Sequence, residues 1–331
     1  MLIGSFKTYT PVAIVKIPLF GLFLWAFSPL YRYLPLVATG GGMPLYEAMA
    51  SGLNHYFLLS AFISLLLSTL SAFLLNYIVN QHNLLPKKTY LPALFYLIYS
   101  GFCGELLTIH PASFANLLII AACHELFDTY RKDSALSEVF NAGMLIGLAS
   151  LLFLPSLLLL FFIWAALLLY RPFIWQEYLV SFLGLLLPWA YLLVYFFWYD
   201  RLGILWNTTL HNHLIIKQFI FQKGPAFVWL YFVFGTVLFF SLFRLLNSPI
   251  NPPLKSQKTF SVLFWCFLIS ILSLTLSPVI NLATLDLAAV PLAVFTANLF
   301  LQLRKSWIAE LFFTFLLLAI LIIHLSVFMS K

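Results

Sequence analysis

Residues 139–170, VFNAGMLIGLASLLFLPSLLLLFFIWAALLLY, contain no charged side chain and one proline, Pro155, near the middle. A single helix of this length would be about 48 Å long, whereas the hydrocarbon core of a bilayer is about 30 Å thick. Proline lacks a backbone N–H and disrupts a helix interior. The stretch therefore predicts two membrane helices that meet at Pro155, over 139–153 and 155–170.

Apolar runs of the same kind fill the rest of the chain. Of the 331 residues, 63% are hydrophobic and only 8% are charged, and the mean hydropathy is +1.02. A water-soluble protein cannot cover its core with so little polar surface. We therefore expect an all-α, polytopic membrane helix bundle with about eleven transmembrane helices. The predicted spans are 12–30, 53–79, 90–104, 112–128, 139–153, 155–170, 178–199, 226–246, 260–277, 286–303 and 308–328.

The Lys and Arg residues favour one orientation. With a cytoplasmic N-terminus and eleven alternating spans, eleven of these residues fall in inner segments, five in outer segments and Lys16 in the first span. Merging 139–170 into one span would move Arg171 and every later basic loop to the outside. The positive-inside rule therefore predicts a multi-pass protein of a bacterial inner membrane, with the N-terminus cytoplasmic and the C-terminus external. The net charge of +7 reflects this topology, and we expect no nucleic-acid partner.

The prolines near residue 250 predict a linker. They divide the chain into a transmembrane core (1–246), a Pro-rich cytoplasmic linker (247–259) and a C-terminal three-helix group (260–331). The longest polar interval is too short for a separate soluble domain. The three cysteines have no CxxC spacing, and we expect them to pack as small apolar residues: Cys103, Cys123 and Cys266.

Residues 84–200 carry a resemblance to known families. LLPKKTYLPALFYLIYSG, NLLIIAACHELF and FNAGMLIGLASLLFLPSLLLLFFIWAALLLYRPFIWQEYLVSFLGLLLPW together resemble an uncharacterised membrane family of Bacteroidota of similar length. The same block is more distantly similar to the GT-C membrane glycosyltransferases. The similarity rests on the AG-x-x-x-G-L-A-x-L helix from Ala142-Gly143 to Leu151, the proline after it, and an earlier helix that follows the basic turn Lys87-Lys88.

The GT-C resemblance implies a fold and an activity. Such proteins transfer a sugar from a polyprenyl-phosphate donor on the outer face of the membrane, with an acidic residue in the first external loop. The protein O-mannosyltransferases among them are similar in having eleven helices with the same orientation. Here the first external loop, 31–52, is shorter than in that superfamily and contains one carboxylate, Glu47, where a pair is usual.

Sugar transfer from a lipid phosphate needs a base for the acceptor hydroxyl and cations for the departing phosphate. We predict Glu47 as the base and Glu105, in the outer turn GELLTIHP, as a second acid. Arg32 and Arg201 are predicted to bind the phosphate, because guanidinium matches phosphate oxygens in a bidentate way. A plainer interpretation remains for both acids: Glu47 solvates the start of a helix, and Glu105 makes a turn wettable.

Four further residues are predicted to bind substrate: Asp200, Asp286, His211 and His213. Asp286 falls at the outer start of NLATLDLAAVPLAV, and a charge so close to lipid is costly and often functional. Otherwise its side chain snorkels to the interface or pairs with a neighbouring helix. Residues 201–223 predict an amphipathic helix that lies along the outer membrane surface, where the histidines contact the donor headgroup or the acceptor.

The positions of the histidines in the sequence do not indicate a metal site. The H-x-H pair at 211–213 has no convincing third ligand, so we expect no cofactor, with a divalent metal left open. The histidines on apolar helices are expected to be packing residues: His55, His124 and His324.

Three classes of function stay open at this point. The first is a GT-C-like glycosyltransferase, or a degenerate relative, with membrane lipids and a polyprenyl-phosphate sugar donor as its partners. The second is a non-enzymatic subunit or scaffold of a bacterial envelope machinery. The third is a transporter, for which Lys16 and the break at Pro155 are the only indications.

Overall fold

A computed structural model describes residues 3–9, 11–31, 43–50, 52, 56–206, 218–219, 225–246, 253–277, 279–280, 283–303 and 305–329. These residues form an all-helical structure apart from a two-residue parallel bridge between β1 (Gln218–Phe219) and β2 (Val279–Ile280). The helices are α1 (Gly4–Lys7), α2 (Pro11–Trp25), α3 (Pro44–Ala50), α4 (Phe57–Gln81), α5 (Leu91–Ser100), α6 (Pro111–Asp128), α7 (Leu136–Leu152), α8 (Leu160–Tyr170), α9 (Trp175–Trp198), α10 (Leu202–Leu205), α11 (Pro225–Leu246), α12 (Leu254–Ser273), α13 (Ala289–Gln302) and α14 (Ser306–Met329). Single 3₁₀ turns lie at Ser28–Tyr31, Gly104–Leu107, Leu154–Leu159, Leu274–Leu276 and Ala283–Ala288.

The helices are those of a membrane protein. Each of the eleven predicted runs contains a helix of at least ten residues. In the described part of the chain, five helices are long and apolar enough to cross a membrane: Phe57–Gln81, Trp175–Trp198, Leu254–Leu276, Ala283–Gln302 and Trp307–Leu325. The other apolar helices are shorter, and the count of eleven spans stays a prediction.

The predicted break at Pro155 is confirmed. Helix α7 ends at Leu152, residue 153 is extended, and a 3₁₀ turn at Leu154–Leu159 leads into α8. Arg171, just after α8, donates from Nη2 to the main-chain carbonyl of Asp133, just before α7, at 2.9 Å. Helices α7 and α8 are therefore an antiparallel pair, and Arg171 lies at the same end of the bundle as Asp133.

Loops that the charge pattern assigns to one side do meet at one end. Lys255 Nζ lies 3.2 Å from His82 Nδ1, and His82 Nε2 lies 3.9 Å from the Asp128 carboxylate. The Tyr130 ring lies below three cations, those of Arg131, Lys255 and Lys258. We call this the basic end, defined by residues 82–90, 128–135, 171–177 and 255–259. The opposite one, with α3 and the Gly104–His110 turn, is the far end.

Glycines set the closest helix crossing, between the parallel helices α7 and α9. A Cβ on Gly143 would lie 2.2 Å from the Ser181 carbonyl oxygen, and one on Gly147 would lie 2.6 Å from that of Leu185. In the same way, a Cβ on Gly184 of α9 would lie 2.5 Å from the Phe140 carbonyl oxygen. Backbones can approach this closely only where one of the two facing residues has no side chain. The glycine pattern of α7 therefore has a packing role in this fold.

One hydrophobic core runs through the bundle. Helix α5 lies at its centre, and all ten of its residues are buried. Helix α13, in the predicted C-terminal group, packs directly against α5, and both belong to the same core cluster. The division of the chain at 247–259 stays a prediction, and residues 247–252 lie outside the described residues.

Candidate functional site

Asp286 is the most deeply buried of the acids predicted as site residues. It lies in the 3₁₀ turn Ala283–Ala288 that precedes α13, and its residue is 1% exposed. The sequence places it at the outer start of a span, whereas the structure encloses it between α5 and α6. The Asn116 amide donates to the main-chain carbonyl of Asp286 at 2.8 Å, which fixes the turn against α6.

Polar groups surround the Asp286 carboxyl group without saturating it. The Tyr96 hydroxyl lies near Ser71, Asn116 and Asp286, and the Asn116 amide lies beside the carboxyl group. Neither carboxylate oxygen of Asp286 has a well-formed hydrogen bond from a described residue, and Asn116 Oδ1 and Ser71 Oγ are also unpaired. Unpaired polar groups are expensive in a membrane interior and are commonly functional there.

An apolar cavity of about 190 Å³ adjoins this turn. Its wall consists of residues of α5 and the segment just after it, of α11 and of α12, and the turn and α13 close it with aliphatic side chains. The aromatic lining residues are Tyr99, Phe102, Tyr231, Phe234 and Phe267. The Asp286 side chain is not part of the lining, although its neighbour Leu285 is. An apolar cavity of this size can accept a hydrocarbon group.

The cavity opens toward the lipid-facing side of α11. Tyr231, on its wall, is 37% exposed. Gly235, one turn further along α11, has open space where a Cβ would stand. A hydrocarbon chain entering between the helices would meet the faces of aromatic rings and the bare backbone of a glycine, with no charged group in its path.

Glu105 lies on the turn that continues the cavity wall. Phe102 lines the cavity, and the 3₁₀ turn Gly104–Leu107 that contains Glu105 follows directly. Ser64 of α4 donates to the Leu106 carbonyl at 2.7 Å, so the turn is held against α4. Glu105 is partly buried. Glu105 itself is not among the lining residues, but of the two predicted catalytic residues it is the one that follows a lining residue, Phe102, within one turn.

Glu47 lies at the same end of the bundle as Glu105, on the exposed side of α3. Its neighbour Tyr46 is buried and donates to the main-chain carbonyl of Ile109 at 3.1 Å, which ties α3 to the loop after Glu105. Partial burial raises the pKa of Glu47 above its ordinary value. The structure therefore brings the segments of both predicted catalytic acids to the far end.

Asp200 and Arg201 form an exposed turn after α9. Asp200 has φ 52°, and the Arg201 N–H bonds the Phe196 carbonyl at 2.9 Å, which ends the helix. The other predicted substrate-binding residues lie outside the described residues: Arg32, His211 and His213. The predicted interfacial helix over 201–223 begins with α10, its residues 207–217 lie outside the described residues, and residues 218–219 are extended.

Sequence reasoning missed a group of metal-ligating side chains at the basic end. His82, His124 and Asp128 offer ligand atoms that all lie within 4.8 Å of one another, the one such group among the described residues. His124 was expected to be a packing residue, whereas its side chain is 32% exposed beside Asp128. The i,i+4 spacing of His124 and Asp128 was visible in the sequence, but the approach of His82 from α4 was not.

His324 does behave as a packing residue. It is fully buried, stacks on the Phe27 ring at 5.2 Å between centroids, and has Nε2 3.4 Å from the Gly101 carbonyl oxygen.

No family model, curated protein or solved structure matches this chain.

Proposed function

We propose that the protein is a membrane enzyme that transfers a sugar from a polyprenyl-phosphate donor at the far end of the bundle, taken as the outer face. The proposal keeps the GT-C-like fold, the eleven spans and the cytoplasmic N-terminus inferred from the sequence. The observation that carries it is the junction of an aromatic, lipid-facing cavity with an acid-bearing turn, over Tyr99 to Leu107. A lipid-linked substrate needs such a pair of features, because one part of it is hydrocarbon and the other is a charged headgroup.

Each part of the site has a task in this proposal. The cavity receives a segment of the prenyl chain between α5, α11 and α12. Glu105 lies where the headgroup would follow and acts as the general base for the acceptor hydroxyl, with Glu47 nearby on α3. Arg32 and Arg201 remain the predicted phosphate-binding residues, and Asp200, His211 and His213 remain predicted contacts of the headgroup or acceptor.

Asp286 is predicted to bind substrate, but its side chain does not line the cavity. It is therefore left out of the transfer step itself. Its turn supplies Leu285 and Ala288 to the cavity wall, so Asp286 would act on the substrate through the shape of that wall.

A transfer assay tests the catalytic part. The purified full-length protein is reconstituted in liposomes with a panel of labelled polyprenyl-phosphate hexoses and a panel of acceptors that carry free hydroxyl groups, and release of polyprenyl phosphate is followed. Glu105→Gln should slow release by roughly a hundredfold or more, because a general base contributes about 10²–10⁴. Glu125→Gln, an acid of α6 near the basic end, is the matched control and should behave as the wild type.

A binding assay tests the cavity separately. Gly235→Phe fills the cavity without a clash at Cβ, and it should abolish crosslinking by a photoreactive polyprenyl phosphate. Val228→Phe, on the exposed face of the same helix, should leave crosslinking unchanged. Absence of release with every donor from the wild type, or equal rates for Glu105→Gln, Glu47→Gln and the wild type, would leave the non-enzymatic subunit as the function.

A further inference from the structure

Three side chains from two helices converge at the basic end of the bundle. His82 directly follows α4, and His124 and Asp128 lie one turn apart at the end of α6. His82 Nε2 is 3.4 Å from His124 Nδ1 and 3.9 Å from Asp128 Oδ1, while His124 Nδ1 is 4.0 Å from Asp128 Oδ2. Two imidazole nitrogens and one carboxylate thus form a small triangle between α4 and α6.

The triangle has nearly the dimensions of a metal site. In a tetrahedral zinc site the metal–ligand distances are about 2.0–2.2 Å, which places neighbouring ligand atoms about 3.3–3.6 Å apart. The two imidazole nitrogens already have this separation. The two distances to Asp128, 3.9 and 4.0 Å, end on different carboxylate oxygens. With one ligand atom from each residue, the three atoms lie within 4.8 Å of one another. A rotation of the Asp128 side chain, which is 40% exposed, can bring one oxygen closer to both imidazole nitrogens.

We propose that this group binds a divalent transition metal ion of the zinc class. His82 Nε2, His124 Nδ1 and one Asp128 oxygen would be the protein ligands. Imidazole nitrogen with a carboxylate suits Zn²⁺, whereas Mg²⁺ and Ca²⁺ prefer oxygen ligands throughout. Since His124 and Asp128 are partly exposed, the fourth position faces solvent. The site lies at the opposite end from the acid-bearing turn, so the inference is independent of the proposed function.

Lys255 of α12 regulates access to this site. Its ammonium Nζ lies 3.2 Å from His82 Nδ1 and donates to it. A neutral histidine that binds a metal through Nε2 carries its proton on Nδ1, so it has no lone pair left for Lys255. Lys255 must therefore move away from His82 when the metal binds, and it can do so while keeping its existing cation–π contact with the Tyr130 ring, whose centroid lies 6.0 Å from Nζ. The lysine competes with the metal by charge and by hydrogen bonding.

Metal titration of the full-length protein tests the proposal. The protein carries a histidine-free affinity tag, is treated with a chelator in detergent, and is titrated with Zn²⁺ against a chromogenic chelator. We expect one tight ion per chain, and visible absorption bands of tetrahedral Co²⁺ when that ion is substituted. His124→Gln and Asp128→Asn should each weaken binding by at least about tenfold, since changes even one step removed from a metal cost 10–100-fold.

Two further variants make the test specific. Glu125→Gln changes an acid of the same helix turn outside the triangle and should leave the affinity unchanged. Lys255→Met should tighten binding, a result that a merely structural role for this cluster would not produce. The thermal midpoint of each apo variant confirms that it is folded.

The proposal is overturned by any of three results. The first would be that the wild type binds no Zn²⁺ beyond the level of weak surface sites. The second would be that the double variant His124→Gln/Asp128→Asn binds Zn²⁺ as tightly as the wild type. The third would be that His211→Ala/His213→Ala loses the ion instead, which would assign it to the H-x-H pair at 211–213.

Discussion

Glu177 and Asp286 are both carboxylic acids buried in apolar surroundings, but only Glu177 has a cationic partner among the described residues. Glu177, in the first turn of α9, is 2% exposed, and its Oε1 lies 3.2 Å from Nη2 of Arg171. Asp286 is 1% exposed, and among the described residues no cation or well-formed hydrogen bond reaches its oxygens. The first acid is part of an ion pair that also ties α8 to the loop before α7.

The difference separates structure from function. A buried charge that has a partner is explained by the geometry that the pair maintains. Removing one partner leaves the other charge buried and uncompensated, which destabilises the folded protein. A buried carboxyl group without a charged partner contributes nothing comparable to stability, and acids of this kind inside membrane proteins are commonly functional. The pair at the basic end and the single acid between α5 and α6 should therefore respond differently to the same chemical change.

The largest effect should follow the loss of one member of the pair. Arg171→Met leaves Glu177 buried and unpaired, and it should destabilise the protein by about 3–5 kcal/mol. The thermal midpoint in detergent measures this. The double variant Arg171→Met/Glu177→Met removes both charges and should recover most of the loss. A single variant as stable as the wild type would show that the pair has no structural role.

The next largest effect is expected at the close approach of α9, the helix of Glu177, to α7. In Gly143→Ala the new Cβ would lie 2.2 Å from the Ser181 carbonyl oxygen, so the helices must separate. We expect a cost of about 1–3 kcal/mol, typical of an overpacked interface. Gly235→Ala is the matched control, because nothing lies within 4 Å of its new Cβ. Equal thermal midpoints for the two variants would contradict this account of the α7–α9 crossing.

His110 at the far end is a buried group that is satisfied only while it is neutral. Its Nδ1 accepts from the Ala112 N–H at 3.2 Å and caps α6, and burial lowers the pKa of His110 from 6.5 to about 4. Between these two pH values the unfolded chain binds more protons, so stability falls as the pH drops from about 6.5 to 4. At pH 5 the loss should be about 2 kcal/mol.

The variant His110→Asn isolates this contribution. Asparagine keeps an acceptor at the start of the helix and does not titrate. Between about pH 7 and pH 5 the thermal midpoint of the wild type should fall further than that of the variant. An equal fall in both proteins would mean that His110 does not contribute to the acid sensitivity.

The smallest effect on stability is expected for Asp286→Asn. No buried cation is left unpaired by this change, so the free energy of unfolding should equal that of the wild type within about 1 kcal/mol. Glu177→Gln is the same chemical change at the other acid, and it should cost several times more because it strands Arg171. Equal losses at both positions would remove the distinction between the two acids.

The sequence predicts local features of this fold well and contacts between distant segments poorly. The apolar runs, the break at Pro155 and the gathering of basic loops follow from composition, proline chemistry and charge. The burial of a helix within the bundle cannot be predicted from its composition. Helices α5 and α9 are equally apolar, although α5 is central and α9 is largely exposed. The pairing of Asn116 with residue 286, or of His82 with His124, depends on helix packing that no local pattern encodes.

The short central helix α5 limits how the chain can be inserted into a membrane. Ten residues form a helix of about 15 Å, half the thickness of the hydrocarbon core. It has no lipid-facing side, because every residue of it is buried by neighbours. Such a segment is too short to span the bilayer on its own. Helix α13, which covers α5 and is made roughly two hundred residues later, must arrive before α5 is fully enclosed, so the centre of this protein is completed only after α13 has been made.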